Sequence, residues 1–387
     1  MADATAHEDR WRAALGLAYV SHGGYHGVLR LLGRRAPEDI WSAQADALRE
    51  LEMTEKAAER FDRARRAQDV WRLEQALGAV GLRFLAYGTP EYPQEFTHLV
   101  DPPAGLFARG TEEALQALLC RPRVTIVGTR RASAYGARAA RDLAGAFAAR
   151  GIVVVSGMAL GIDGRAHEAA LDSIGHTVAV LGCGVDVVYP PRHRGLYHAI
   201  SRRGLVLSEL PPGTAPSRWT FPHRNRLLAA LGDAVIVIEG PPTSGAMQTA
   251  AQAAALGRPV FAVPGSIYVE NHRGCNQLLR DGAAPALDPD STVEEFLTQT
   301  RIERGEQRAL EPGDRAAQKA VGTDPFRELV AAGREAVLEA VAERPFSVDA
   351  LVARTGSSAR HVTAALAELE LAGLVARAGP GLYIRAP

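Results

Sequence analysis

Three cysteines in 387 residues are too few and too scattered to build anything together. Cys120, Cys183 and Cys275 form no CxxC pair and no His/Cys cluster, so neither a metal site nor a disulfide framework is expected. Net charge is missing too. Lys and Arg number 44 and Asp and Glu also 44, which excludes a surface coated in positive charge but not one local basic groove. No apolar run reaches the roughly 18 residues a membrane span needs. The polar start, residues 1–10, has no signal-peptide core. The expected location is cytoplasmic, with no membrane partner. Nucleotide signatures are absent as well. There is no Gly-Lys-Ser/Thr, and after Gly182-Cys183-Gly184 the place of a third glycine is taken by Val187. No cofactor is expected.

What is present is apolar residue, 47% of the chain, enough to bury the cores of two or three domains. Residues 1–77 predict a helical module, SAM-like or a helical hairpin. Trp11, Leu15 and Leu17 begin one face, Val28, Leu29, Leu31 and Leu32 continue it, and an Ala/Glu/Arg-rich segment runs over 43–76. Such a module either packs or touches DNA or protein. Residues 78–298 predict the core. After a strand at 82–87 and proline turns at 89–93 and 101–103, strand candidates fall at 124–127, 152–155, 177–181, 205–207, 234–238 and 259–262. Helical segments lie between them, which gives right-handed βαβ crossovers and a parallel, Rossmann-like α/β sheet. Residues 299–332, with Pro312-Gly313, read as a linker. Residues 333–387 give a winged-helix pattern: helices over 334–343, from Ser347 to Arg354 and from Ser358 to Ala372, then strands flanking Gly379-Pro380-Gly381.

The densest chemistry lies at 217–226, which holds Arg218, Trp219, Phe221, His223, Arg224, Asn225 and Arg226. Guanidinium groups hold phosphates by paired hydrogen bonds, and an aromatic ring stacks on an unpaired base. The alternative is an Arg-rich helix start with Trp219 and Phe221 capping the core. Three loops follow strand ends nearby. One carries Gly128, Arg130 and Arg131, the second Ser156, Gly157 and Gly161, the third Ser244 and Gly245. Glycine turns that open helices expose amides to anions. Each loop alone is explained by packing; together with 217–226 they predict an extended phosphate-binding edge. Asp163 is read as capping its turn, with His167 bonding it locally.

These residues resemble the bacterial DNA-processing protein A (DprA, or Smf) family. The matching motifs run in order: Val127-Gly128-Thr129-Arg130 with Tyr135-Gly136, Ser156-Gly157 with Gly161-Ile162-Asp163 and Ala166-His167, and Val180-Leu181-Gly182-Cys183-Gly184 with Tyr189-Pro190. They continue with Ser208-Glu209, Phe221-Pro222 with Arg224-Asn225-Arg226, Ser244-Gly245 with Thr249-Ala250, Val263-Pro264-Gly265, Arg273-Gly274-Cys275-Asn276 and Asp281-Gly282-Ala283. The resemblance implies a non-enzymatic, cytoplasmic protein that binds single-stranded DNA, dimerises through its Rossmann-like core and loads the RecA recombinase in natural transformation or recombination. It implies strand-binding roles for Arg130 and Phe221. Arg218 stands where the family tends to carry lysine, and Leu160 and Thr243 stand where arginines are common. The competing reading is a nucleotide-processing enzyme, such as a nucleoside-monophosphate glycosidase, on a related core. Such enzymes carry Pro-Gly-Gly-x-Gly-Thr, which is absent here. A transcription regulator acting through the tail is disfavoured, because residues 334–387 hold six arginines against six acidic residues.

Overall fold

In the computed structural model of this chain the apolar runs pair into one nine-stranded sheet. The structure describes residues 2–22, 26–50, 53–173, 175–303, 346–355, 362, 366, 369, 375–379 and 382–385. Residues Met1–Gly305 form one unit and Glu306–Pro387 a second.

Among the described residues the first unit opens with five α-helices, α1 (Ala2–Val20), α2 (Pro37–Ser42), α3 (Ala45–Glu50), α4 (Glu55–Arg66) and α5 (Val70–Ala79), with a 3-10 helix (His26–Leu31) between the first two. Thr54 and Asp69 cap α4 and α5 by accepting the backbone N–H groups of Ala57 and Arg72, each the third residue of its helix, which divides the long Ala/Glu/Arg-rich segment. Strands β1 (Arg83–Ala86) and β2 (Gly105–Gly110) follow, then α6 (Glu112–Cys120). The alternating core comprises β3 (Arg123–Val127), α7 (Ala134–Ala149), β4 (Val153–Ser156), α8 (Ile162–Asp172), β5 (Thr177–Val180), α9 (Arg194–Arg203) and β6 (Leu205–Ser208). It continues with α10 (Thr220–Leu231), β7 (Ala234–Val237), α11 (Gly245–Ala255), β8 (Val260–Ala262), α12 (Glu270–Arg280), β9 (Ala284–Pro285) and α13 (Pro289–Glu303).

The strand order is β1-β2-β6-β5-β4-β3-β7-β8-β9. From β6 to β9 every neighbouring pair is parallel, and β1 and β2 close one edge in antiparallel pairing. β4, β5, β6 and β7 are buried at every position, as strands covered on both faces must be. Arg123 anchors the start of β3: its guanidinium donates to Asp233 (3.1 Å) at the start of β7 and is paired with Glu95.

The helical start packs as part of this unit. Leu15 and Leu17 of α1 share one apolar cluster with Phe84, Phe107 and Tyr197, and Trp11 Nε1 donates to Phe84 O at 2.9 Å. At the other end α13 runs to Glu303, five residues into the expected linker, because Val293 and Phe296 are buried against α7, with Phe296 edge-on to Phe147. In the second unit, a short strand (Phe346–Ser347), a helix (Val348–Thr355) and two strands (Val375–Gly379, Leu382–Arg385) are described, with Ser347 Oγ accepting Ala350 N at 3.2 Å. The strands pair antiparallel, and Leu351, Val362, Leu366, Leu369 and Val375 form their own small core. The linker from 304 and the helix expected at 334–343 lie outside the described residues, as does most of the helix expected at 358–372.

Candidate nucleic-acid interface

The sheet is wound in two directions from one point. From β3 the chain steps through β4 and β5 to β6; it then crosses over to β7 on the other side of β3 and continues to β8 and β9. The loops after β3 and β7 therefore diverge and leave a crevice at the carboxyl ends of the strands, where doubly wound sheets hold ligands. A cleft of about 680 Å³ opens there. Gly128, Arg130 and Arg131 line it from the β3 loop, Arg218 and Phe221 from the start of α10, and Ser244 and Gly245 from the start of α11.

Phe221 is half-buried and belongs to none of the apolar clusters among the described residues. Tyr189 packs at 5.5 Å between ring centroids, tilted 36°. Gly182 backs it closely: a Cβ on that residue would sit 2.9 Å from Phe221 Cδ1. The Arg130 guanidinium lies 5.2 Å from the ring centroid. Trp219 is 72% exposed, and the Arg218 guanidinium rests 4.8 Å from its ring centroid. Thr220 Oγ1 is 2.5 Å from Gly182 O, tying the start of α10 to the β5 loop. On the opposite wall Ser244 occupies the cap position of α11, and its buried Oγ finds no partner among the described residues. The N-terminus of α11, rather than that hydroxyl, is what this wall offers an anion.

Two of the three expected arginines in the 217–226 stretch do not serve this cleft as phosphate ligands. Arg224 is 4% exposed; its Nη1 donates to Gly157 O (2.8 Å) and to Val180 O. Burial lowers its pKa to about 10, opposed by the carboxylate of Asp163. Arg226 is paired with Glu209 (2.6 Å) and Asp101 (3.4 Å). Both are struts, because α10 is buried continuously from Arg224 to Leu231 and its cations must find partners inside. Asn225 is buried on the cleft wall, with Nδ2 3.4 Å from Gly245 O. Ser156 is also internal, donating to Ile126 O at 2.6 Å. Gly157 is buried and lines only a small hollow, about 50 Å³, beneath Phe221. Gly161 takes φ +81 at the cap of α8, a conformation that glycine adopts freely, and faces a separate groove beyond Arg130.

Asp163 Oδ2 accepts Gly157 N (3.1 Å) and Ala159 N (3.3 Å), so it caps its turn as expected. His167 touches the backbone of Ser156 at the head of that turn and also reaches across to β5. Its Nδ1 lies 2.7 Å from Thr177 Oγ1, and the Thr177 hydroxyl donates to Val154 O. The sequence reading also missed the role of Glu239. This carboxylate, fully buried at the end of β7, accepts Ser133 Oγ (2.6 Å), Ser133 N (3.0 Å) and His272 Nε2 (3.0 Å). Ser133 also caps α7, so Glu239 fixes the arginine-bearing loop to β7 and α12. The signal in the sequence is an acidic residue directly after the five apolar ones at 234–238.

The family model of DNA recombination-mediator protein A matches residues 83–297, and that of the DprA winged helix domain matches 320–381. The chain belongs to the DprA/Smf family. It is 34% identical to Protein Smf of a Synechocystis strain over 362 residues, 89% of this chain and 90% of that protein. Against a putative DNA processing protein DprA of Mycobacterium tuberculosis it is 43% identical over 250 residues, 64% of this chain and 61% of that one. Among solved structures, DprA of Streptococcus pneumoniae aligns with a TM-score of 0.58 at 35% identity, covering 62% of this chain and 82% of the other. DNA processing protein A of Helicobacter pylori, whose structure concerns its single-stranded DNA binding mode, aligns with a TM-score of 0.51 at 32% identity, covering 56% and 96%. The Rossmann-like core and winged-helix tail are thus those of DprA proteins. Among the described residues no helix is long and apolar enough to cross a membrane.

Proposed function

We propose that this protein binds single-stranded DNA in the cleft at the switch point, by stoichiometric contact and without turnover. The observation that carries the reading is Phe221, a ring left out of the core and set beside the guanidinium of Arg130 in a cleft of about 680 Å³. An unpaired base stacks on such a ring, and Arg130, Arg131, Arg218 and the amides near Gly128, Ser244 and Gly245 take the flanking phosphates. The Helicobacter pylori relative, studied for its single-stranded DNA binding, supports the same ligand here. Following the family, the bound strand is protected and RecA is loaded on it in transformation or recombination, by a cytoplasmic homodimer that pairs through its Rossmann-like core.

The glycosidase alternative would need a carboxylate free to reach substrate. Asp163, the acid that lines the cleft, is held by Gly157 N and Ala159 N, and Glu239 behind the loops has both oxygens engaged by Ser133 and His272, which favours binding over catalysis.

The test is a gel shift with single-stranded and duplex DNA, with RecA filament assembly followed on the bound strand. Preference for the single strand and faster filament growth are expected. Equal affinity for duplex, or release of free base from nucleoside monophosphates in proportion to protein, would sink the proposal.

A further inference from the structure

A second groove, of about 290 Å³, lies beyond the arginine loop at the same sheet edge, and Arg130 and Arg131 line both. It is bounded by Leu160, Arg165, Glu168 and His193. Resting on the reading just proposed, we infer that a single strand leaving Phe221 crosses Arg130 and lays further phosphodiesters into this groove.

The charge is right for that ligand. Three guanidinium groups face one carboxylate, Glu168, which is paired with Arg165 at 2.7 Å. That pair is half-exposed, and exposed pairs hold weakly, so Arg165 can turn to a phosphate at little cost. Neither Arg130 nor Arg131 has an ion-pair partner among the described residues. The floor is the first turn of α8, where Gly161, Gly164 and Arg165 line the groove.

The far wall is built, not incidental. His193 Nδ1 lies 3.1 Å from Met158 O, and a carbonyl only accepts, so the proton sits on Nδ1. The ring lies against Gly164, where a Cβ would come within 2.6 Å of Cε1. Met158, which lines the small hollow beneath Phe221, has φ +60 without being glycine. Backbone strain of this kind persists where surrounding contacts hold it and gathers at binding sites. His193, through the Met158 carbonyl, and Asp163, through the amides on either side, hold it here.

The test compares oligothymidines of stepwise increasing length on the full chain, with Arg165→Ala beside the unaltered protein and Arg280→Ala as a control. Arg280 lies at the end of α12, at the opposite sheet edge. For long strands Arg165→Ala should flatten the log-affinity against log-salt slope by about 0.7, a loss of about fivefold at 0.1 M salt. For the shortest strand that still binds, it should change nothing. An unchanged slope, an equal loss at every length, or the same loss in Arg280→Ala overturns the second groove. If the unaltered protein holds no single strand at all, the proposed function falls first, and the groove with it.

Discussion

In the proposed binding mode Arg218 meets a phosphate and Phe221 a base, so their variants should separate by salt. Arg218→Ala should lower the salt slope by about 0.7, the share of one phosphate. Phe221→Ala should cost about 1–3 kcal/mol of binding with the slope unmoved, because stacking releases no counterions. Since Phe221 is outside the core clusters, its variant should melt near the unaltered protein; a large fall in melting temperature with normal binding would return it to the core. The neighbouring arginines were not separable by residue type. Arg218, Arg224 and Arg226 look alike in the sequence, and only the continuous burial of α10 turns the last two inward. Two lysines, Lys56 and Lys319, occur in the whole chain, so every cation in the cleft is a guanidinium. His167 makes a separate prediction. Burial, with the nearby charges of His193 and Arg224, lowers its pKa from 6.5 to about 3. Above 6.5 it is neutral folded or unfolded, and between 6.5 and 3 only the unfolded chain takes the proton. Stability should therefore fall on acidification, by about 1.4 kcal/mol per pH unit. His167→Gln, with a donor for Thr177 but no proton to gain, should show a shallower fall in melting temperature between pH 6.5 and about 5. Parallel curves would show that other groups carry the acid sensitivity.

Among the elements, the parallel strands were the most legible, because strands covered on both faces are written as unbroken apolar runs. β3, β4, β5, β6, β7 and β8 all fall within a residue or two of the runs read from the sequence. β2 was not legible. Its run Leu106-Phe107-Ala108 is closed by glycines at both ends, Gly105 and Gly110, and its pairing with β1 and β6 is antiparallel, which a βαβ rhythm does not signal. The three cleft loops were legible as glycine turns at strand ends, but what holds the first of them was not. Glu239 does so through Ser133 and His272, contacts 106 and 33 residues away in sequence. Glu239→Ala should orphan those donors, partly buried at Ser133 and buried at His272, at up to about 1–3 kcal/mol each and lower the melting temperature. Because the loop carries Arg130 and Arg131, affinity for single strands should fall as well. A variant that melts normally would show that the loop does not depend on this anchor.

At the scale of the whole molecule, zero net charge and a basic cleft edge are compatible because the acidic residues are spent elsewhere. Asp101 and Glu209 hold Arg226, Asp233 and Glu95 hold Arg123, and Asp163 faces Arg224 from within. The winged-helix unit is balanced too, with six arginines against six acids over 334–387. Its Arg360 and His361 are offset by Glu368 and Glu370, a poor composition for facing phosphates. Strand binding should therefore belong to the first unit alone, with the tail serving a protein partner or modulating the core. The place to cut follows from α13. Ending the chain at Asp290 would strip Val293 and Phe296 from the cluster they share with Phe147, at about 3–5 kcal/mol for a large buried ring alone. Ending it after Gly305 leaves that cluster whole. The shorter chain should then keep a single cooperative melt and most of its affinity for single strands. A tenfold weaker grip from a chain that still melts normally would make the tail part of the binding surface.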